Sequence, residues 1–126
     1  MERSGRKVLV VDDDRQVLDL LSTLLGRAGY EVKTAPGAVE AMELLETEDV
    51  GAVVLDIMMP VRSGIEVLEH IRWNAKLAGM PVVILSAAQL TKDEQEFVAE
   101  FSAGFVDKTH IMDVLTHLKT IFATPA

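Results

Sequence analysis

Acidic, hydroxyl and basic side chains occur in this sequence at the points where runs of apolar residues end. The apolar run 7–11 is followed by three consecutive aspartates, and the run 52–55 is followed directly by Asp56. Ser86 and Lys108 follow two later runs. Carboxylates gathered in one place repel one another, by about 4 kcal/mol per pair at a separation of 4 Å and an effective dielectric of 20. If the fold brings these residues together, they therefore need either a proton or a cation.

The available ligand types narrow both the metal and the reaction. Oxygen donors without histidine or cysteine favour Mg²⁺, Mn²⁺ or Ca²⁺ over zinc, and Mg²⁺ in particular recruits phosphate groups. A carboxylate nucleophile, a divalent ion, an ammonium and a hydroxyl donor are the components that phosphoryl transfer requires. The sequence therefore predicts phosphoryl chemistry around Asp12, Asp13 and Asp56, assisted by Ser86 and Lys108.

Short apolar runs alternate with longer segments of helical periodicity, and this order defines the elements that must position the site. Continuous Val, Ile and Leu runs are typical of parallel strands covered on both faces. The predicted strands are 7–11, 30–34, 52–55, 81–85 and 104–106, of which the second alternates and is expected at an edge. The predicted helices lie at about 14–27, 37–47, 63–76, 91–101 and 110–122. Because an open α/β sheet binds ligands at the carboxyl ends of its strands, this order brings the polar groups to one edge.

Three of the predicted helices begin with a capping signal. Asp14 is the expected N-cap of the first helix. The third and fourth helices begin with the spacing of a capping box, Ser63 with Glu66 and Thr91 with Glu94. The helix after Thr91 is the least certain of the five from pattern alone, because its first five residues are all polar.

The composition excludes several classes of protein. A chain of 126 residues forms one domain, expected to span residues 1–126, and its apolar fraction of 49% excludes disorder. A net charge of −8 without a basic cluster argues against direct binding of nucleic acid. No apolar run approaches the ~20 residues that span a bilayer, and residues 1–7 lack the apolar core of a signal peptide. We therefore expect a cytoplasmic protein without a membrane partner.

Taken together, these residues resemble the receiver domain of two-component response regulators over nearly the whole chain. The likeness rests on the pair Asp12-Asp13, on the string of residues 54–60 around Asp56, on Gly64 eight residues later, and on Ser86-Ala87 and Lys108. The resemblance implies a flavodoxin-like (βα)5 doubly wound sandwich, with a five-stranded parallel sheet in the order 2-1-3-4-5.

The resemblance also implies a role for each residue of the pocket. Asp56 would be the phosphoacceptor in a phosphorelay, and would bind Mg²⁺ with Asp13 through their side chains. Met58 would contribute its backbone carbonyl, and Asp12 would act through a metal-bound water. Mn²⁺ is an expected substitute for Mg²⁺. The phosphoryl donor would be a histidine kinase or a histidine phosphotransfer protein.

Three further residues would couple the phosphoryl group to an output. Ser86 would bind a phosphoryl oxygen and move toward it, Lys108 would pair with Asp56 and then with the phosphate, and Phe105 would change rotamer. Phe105 could equally be a core residue. The output would be a changed interaction surface formed by helix 4, strand 5 and helix 5, for an unknown downstream protein. We expect a monomer or weak dimer, and no enzyme activity beyond self-catalysed acceptance and hydrolysis of the phosphoryl group.

The sequence departs from the family pattern directly after Lys108, and two variable positions also bear on the mechanism. Thr109 follows Lys108 where the family usually has a proline with a cis peptide bond. A cis bond before a residue other than proline costs about 2.5–4 kcal/mol, so we predict a trans bond and a shifted loop. Met58 and Ala88 occupy two positions that vary in the family, two residues after Asp56 and two after Ser86, where the side chain influences how water reaches the phosphoryl group. Neither has a polar group to orient water, which predicts slow self-dephosphorylation.

Two other functions remain open from the sequence. A receiver-like domain that is never phosphorylated would act purely as a protein-binding module, and the replacement of the usual proline by Thr109 is compatible with this function. A haloacid-dehalogenase-like phosphatase would use the motif Asp12-x-Asp14, although that fold normally needs a longer chain. The sequence ends after the fifth helix, which suggests no output domain, but a piece of a longer regulator is equally compatible.

Overall fold

A computed structural model of the protein describes residues 6–59, 64–86 and 90–123. Five strands alternate with five α-helices in the described residues. The strands are β1 Lys7–Val11, β2 Glu31–Ala35, β3 Ala52–Asp56, β4 Val82–Ser86 and β5 Gly104–Asp107. The helices are α1 Arg15–Arg27, α2 Ala38–Thr47, α3 Gly64–Trp73, α4 Lys92–Phe101 and α5 Asp113–Ala123. In this part of the chain, no helix is both long and apolar enough to cross a bilayer.

The strands form one parallel sheet in the order β2-β1-β3-β4-β5, which confirms the predicted flavodoxin-like topology. Every residue of β3 and β4 is buried, because helices cover both faces of the sheet there. This burial explains the continuous apolar runs of those strands. The second strand lies at an edge, as its alternating pattern predicted.

Alternate residues of each strand build two separate cores, one on each face of the sheet. Leu55 and Ile84 pack with α2, α3 and α4, whereas Val54 and Leu85 pack with α1 and α5. Neighbouring residues of a strand point to opposite faces, so each central strand is held from both sides. The polar residues that end these strands are therefore attached to a rigid frame.

The end of α4 is held by Arg72 on α3. Its Nε donates to the carbonyl of Phe101 at 2.7 Å, and its Nη1 donates to the carbonyl of Met80 at 2.7 Å. The start of α4 is held by the predicted capping box, in which Thr91 and Glu94 each bind the other's backbone N–H. These contacts fix a helix that its sequence pattern alone indicated weakly.

Several predicted boundaries were wrong by a few residues. The helix predicted to end at 76 ends at Trp73, because the Asn74 side chain accepts from the N–H of Lys76 in the following turn. The helix predicted from 110 begins at Asp113, after a short 3-10 turn over Lys108–His110. The strands predicted at 30–34 and 81–85 are each shifted by one residue, to 31–35 and 82–86. The predicted capping residue Ser63 lies outside the described residues.

Candidate functional site

The fold brings three of the predicted metal ligands together at the carboxyl edge of the sheet. Val11 of β1 pairs with Leu55 of β3, so Asp12 and Asp56 follow equivalent positions on adjacent strands. One carboxylate oxygen from each of Asp12, Asp13 and Asp56 lies within 4.8 Å of the others. Asp12 and Asp56 are buried, at 0% and 2% exposure, while Asp13 is exposed. The group is therefore a pocket with a buried floor and one side open to solvent.

Backbone N–H groups orient the two buried carboxylates. The N–H of Asp14 donates to Oδ1 of Asp12 at 2.8 Å, and the N–H of Met58 donates to Oδ1 of Asp56 at 3.1 Å. Asp14 caps α1 by accepting from the N–H of Gln16 at 2.9 Å, as its sequence position predicted. Its carboxylate is thus used by the helix, whereas the other two point one oxygen each toward Lys108.

Lys108 bridges the two buried carboxylates. Its Nζ lies 2.9 Å from Oδ2 of Asp12 and 3.4 Å from Oδ2 of Asp56. Burial by itself lowers the pKa of Lys108, but the hydrogen bond to Asp12 and the charges of Asp56 and Asp12 outweigh it and raise the pKa. The ammonium group therefore remains charged and supplies the fixed positive charge of the pocket.

The carboxyl group of Asp56 has a strongly raised pKa. Its pKa is raised from 3.8 to about 6, mainly by burial and in smaller part by the negative charge of Asp12. The hydrogen bond from Met58 and the charge of Lys108 act in the opposite direction and lower it. One lysine is therefore insufficient to hold this carboxylate fully ionised, and an additional cation would do so.

We expect the metal-free protein to lose stability as the pH rises from about 4 to about 7. Folded Asp56 holds its proton more tightly than the unfolded chain, so its stabilising contribution, complete below 3.8, is lost as the pH passes about 6. The loss is at most about 3 kcal/mol and is expected to be about 1–3 kcal/mol. Urea unfolding in the presence of a chelator at both pH values measures it.

The control for this pH effect is Asp56→Asn, which keeps the shape but does not titrate. We expect the fall in unfolding free energy to be smaller in Asp56→Asn by the same 1–3 kcal/mol, roughly. An identical pH dependence in the two proteins would show that other groups cause it.

Gly64, the first residue of α3, lies directly against the end of β3. Its N–H donates to the carbonyl of Ile57 at 3.0 Å. A Cβ at this position would lie 2.2 Å from the carbonyl oxygen of Asp56 and 2.6 Å from Cα of Ile57. Only glycine fits this contact between backbones, which explains the glycine eight residues after Asp56.

The remaining predicted residues lie near the same edge. Ser86 ends β4, is 1% exposed and pairs in register with Asp107 of β5. Phe105 is 44% exposed and lines a cavity of about 520 Å³ between α4 and β5, so its alternative interpretation as a core residue was wrong. The side chain of Met58 is half exposed beside the pocket. Ala88 lies outside the described residues, so slow dephosphorylation stays a prediction.

Comparison with known proteins identifies the family. The family model of the response regulator receiver domain matches residues 8–119. The chain belongs to this family. Its receiver fold is similar to that of the chemotaxis protein CheY4 of Vibrio cholerae, with 28% identity, a TM-score of 0.82 and coverage of 91% of this chain and 97% of that one.

A second solved receiver is the response regulator TrrA of Thermotoga maritima, which was crystallised in complex with Mg²⁺ and BeF. It is 30% identical, with a TM-score of 0.79 and coverage of 92% of this chain and 98% of that one.

Among curated proteins, the transcriptional regulatory protein GltR of Pseudomonas aeruginosa is 34% identical over 107 residues, covering 85% of this chain and 43% of its own length. PhoP of Bacillus subtilis, a regulator of alkaline phosphatase synthesis, is 40% identical over 91 residues, covering 72% of this chain and 35% of its own length. The chain therefore spans less than half the length of these curated relatives.

This receiver domain differs from the family pattern at Thr109, as its sequence indicated. No cis peptide bond occurs in the described residues, so the Lys108–Thr109 bond is trans, as predicted. Oδ1 of Asp107 accepts from both the N–H and the hydroxyl of Thr109, each at 2.8 Å. The N–H bond and then the hydroxyl bond hold the pKa of Asp107 below its usual range. Asp107 was not among the predicted residues, although an aspartate two residues before a threonine at the start of a turn is a capping signal.

Proposed function

We propose that this receiver domain accepts a phosphoryl group on Asp56 in a Mg²⁺-dependent reaction and thereby switches a protein-binding surface. The donor is a histidine kinase or a histidine phosphotransfer protein. The observation that carries the proposal is the convergence of Asp12, Asp13 and Asp56 within 4.8 Å, with Lys108 bridging the two buried carboxylates. The domain supplies the catalysis itself, for one acceptance and one hydrolysis, and is not an enzyme acting on a separate substrate.

The donor set fits Mg²⁺, with Mn²⁺ as a substitute. The side chains of Asp13 and Asp56 and the carbonyl of Met58 would hold the ion, and Asp12 would act through a water bound to it. All of these groups are hard oxygen donors. The raised pKa of Asp56 supports the same conclusion, because that carboxylate lacks sufficient positive charge from Lys108 alone. When bound, Mg²⁺ neutralises charge on the phosphoryl oxygens and on the attacking carboxylate.

The residues of the chain would then act on the phosphoryl group directly. One carboxylate oxygen of Asp56 forms a bond to phosphorus, while the P–N bond of the donor phosphohistidine breaks and its electron pair stays on the imidazole nitrogen. Lys108 provides a fixed positive charge for the phosphoryl oxygens, and Ser86 provides a hydroxyl donor from the next strand. Lys108 already reaches both buried carboxylates, so its charge needs little reorganisation, whereas Ser86 would shift toward the phosphoryl group.

The switched surface is formed by α4, β5 and α5. The ring of Phe105 is exposed beside the cavity between α4 and β5, where a partner protein can contact it. This exposure supports the assignment of the switched surface. A shift of Ser86 toward the phosphoryl group would free space for Phe105 to change rotamer. With a net charge of −8, the domain contacts a protein rather than DNA. A role in transcription like that named for the relatives would then act through another domain or partner.

Labelling with a small phosphodonor tests the proposal. With acetyl phosphate and Mg²⁺, we expect a single acid-stable, base-labile acyl phosphate whose position maps to Asp56 by mass spectrometry. Labelling should disappear with a chelator and return with Mn²⁺, since both ions accept oxygen ligands. A folded protein that remains unlabelled under these conditions would instead be the protein-binding module that is never phosphorylated.

A further inference from the structure

A chain of hydrogen bonds surrounds the backbone of Lys108 on both sides. Oδ1 of Asp107 accepts from the N–H and from Oγ1 of Thr109, each at 2.8 Å, and Oγ1 lies 3.1 Å from Nδ1 of His110. The hydroxyl of Thr109 has one proton and gives it to Asp107. The contact with His110 therefore requires an N–H on Nδ1 that donates to Thr109. The three residues form one directed chain, from His110 through Thr109 to Asp107.

These hydrogen bonds fix the turn from which the side chain of Lys108 reaches into the pocket. Asp107 is the last residue of β5, pairs in register with Ser86, and caps the 3-10 turn Lys108–His110 with extended backbone angles of φ −74° and ψ 137°. Lys108 leaves the strand at this point and crosses to Asp12 and Asp56. A proline at position 109 would have neither the N–H nor the hydroxyl that Asp107 binds.

We propose that Asp107 and Thr109 are positioning residues. Their hydrogen bonds in this turn, together with the one from His110 to Thr109, hold Lys108 in place for phosphoryl transfer. The inference rests on the function proposed above. Asp107 and Thr109 are exposed and bond to each other and to His110, so their effect on the pocket passes through the lysine between them.

Such a role predicts that a looser turn weakens the binding of one ligand of the pocket but not of the other. A phosphoryl analogue needs the ammonium of Lys108, so a looser turn weakens its binding. A metal ion competes with that ammonium for Asp12 and Asp56, so a looser turn leaves metal binding unchanged or strengthens it. Simple disorder at the edge of the sheet would instead lower the affinity for both ligands.

The experiment compares Asp107→Ala with Asp107→Asn in the full chain. Both substitutions remove the same charge, but only asparagine keeps an oxygen that accepts from Thr109. Calorimetry measures the affinity for Mg²⁺ alone and then for beryllofluoride at saturating Mg²⁺. We expect Asp107→Ala to bind beryllofluoride about 3- to 10-fold more weakly than Asp107→Asn, which is the effect of losing hydrogen bonds of ordinary strength. Its affinity for Mg²⁺ should be at least that of Asp107→Asn.

A second pair, Thr109→Val and Thr109→Ser, repeats the comparison at the donor of the same hydrogen bond, because only serine keeps the hydroxyl. Equal beryllofluoride affinities within both pairs would overturn the proposal, as would a parallel loss of Mg²⁺ and beryllofluoride affinity in Asp107→Ala. The proposed function fails separately: wild-type protein that binds no beryllofluoride overturns it, and the positioning role with it.

Discussion

Asp56→Asn is expected to abolish Mg²⁺-dependent labelling by acetyl phosphate, with a loss of at least about 1000-fold in rate. Asparagine has nearly the same shape as aspartate, and its carbonyl oxygen can still accept from the N–H of Met58 as Oδ1 does now at 3.1 Å. An amide oxygen is, however, a poor nucleophile toward phosphorus and carries no charge to bind a metal. The loss therefore tests the chemistry of one side chain with little change in packing. Time courses followed by mass spectrometry measure it.

Asp14→Asn is the matched control for this substitution. Asp14 belongs to the same run of acids, but its carboxylate caps α1 through the N–H of Gln16, and asparagine caps helices equally well. We expect its labelling rate to stay close to that of the wild type. If Asp56→Asn were labelled at the wild-type rate, with the phosphoryl group mapped to Asp12, the acceptor would have been assigned to the wrong strand. That result would favour the alternative function, a phosphatase that uses the motif Asp12-x-Asp14.

The fold could be predicted because each central strand is buried on both faces. Burial of this kind forces continuous Val, Ile and Leu runs, and β3 and β4 show them without interruption. The pattern of runs does not say which strands are neighbours. The order β2-β1-β3-β4-β5 came from the family resemblance, and this order is what places Asp12 beside Asp56. The predicted convergence of carboxylates thus needed both sources of information.

Features that depend on distances across the fold were beyond the sequence. Lys108 lies closer to Asp12 than to Asp56, at 2.9 Å against 3.4 Å, although the family resemblance pairs it with Asp56. Nor did the pattern distinguish a buried Phe105 from the exposed one observed, because a short edge strand carries side chains to both faces. Asp107 went unnoticed for a different reason. Its partner is two residues away, and a local hydrogen bond of this kind leaves no periodic trace.

Gly64→Ala is expected to lower the free energy of unfolding by about 2–4 kcal/mol. A Cβ at this position would lie 2.2 Å from the carbonyl oxygen of Asp56 and 2.6 Å from Cα of Ile57. Both neighbours are backbone atoms at the end of a fully buried strand, so neither can rotate away as a flexible side chain would. The start of α3 must therefore move away from the end of β3 and lose the hydrogen bond from Gly64 to Ile57. Urea denaturation at neutral pH with a chelator measures the change without a contribution from metal.

The matched control for this glycine is Gly26→Ala, on α1. A Cβ there would meet no atom within 4 Å, so the substitution tests backbone entropy alone. Alanine in a helix is favoured over glycine by about 1 kcal/mol, and we expect Gly26→Ala to stabilise the protein by roughly that amount. The same chemical change should thus have opposite signs at the two positions. Because Gly64 contacts the backbone of Asp56 itself, Gly64→Ala should also slow labelling in the fraction that remains folded. If Gly64→Ala unfolded at the wild-type urea concentration, the start of α3 could move without cost, and the contact would have no part in holding the acceptor in place.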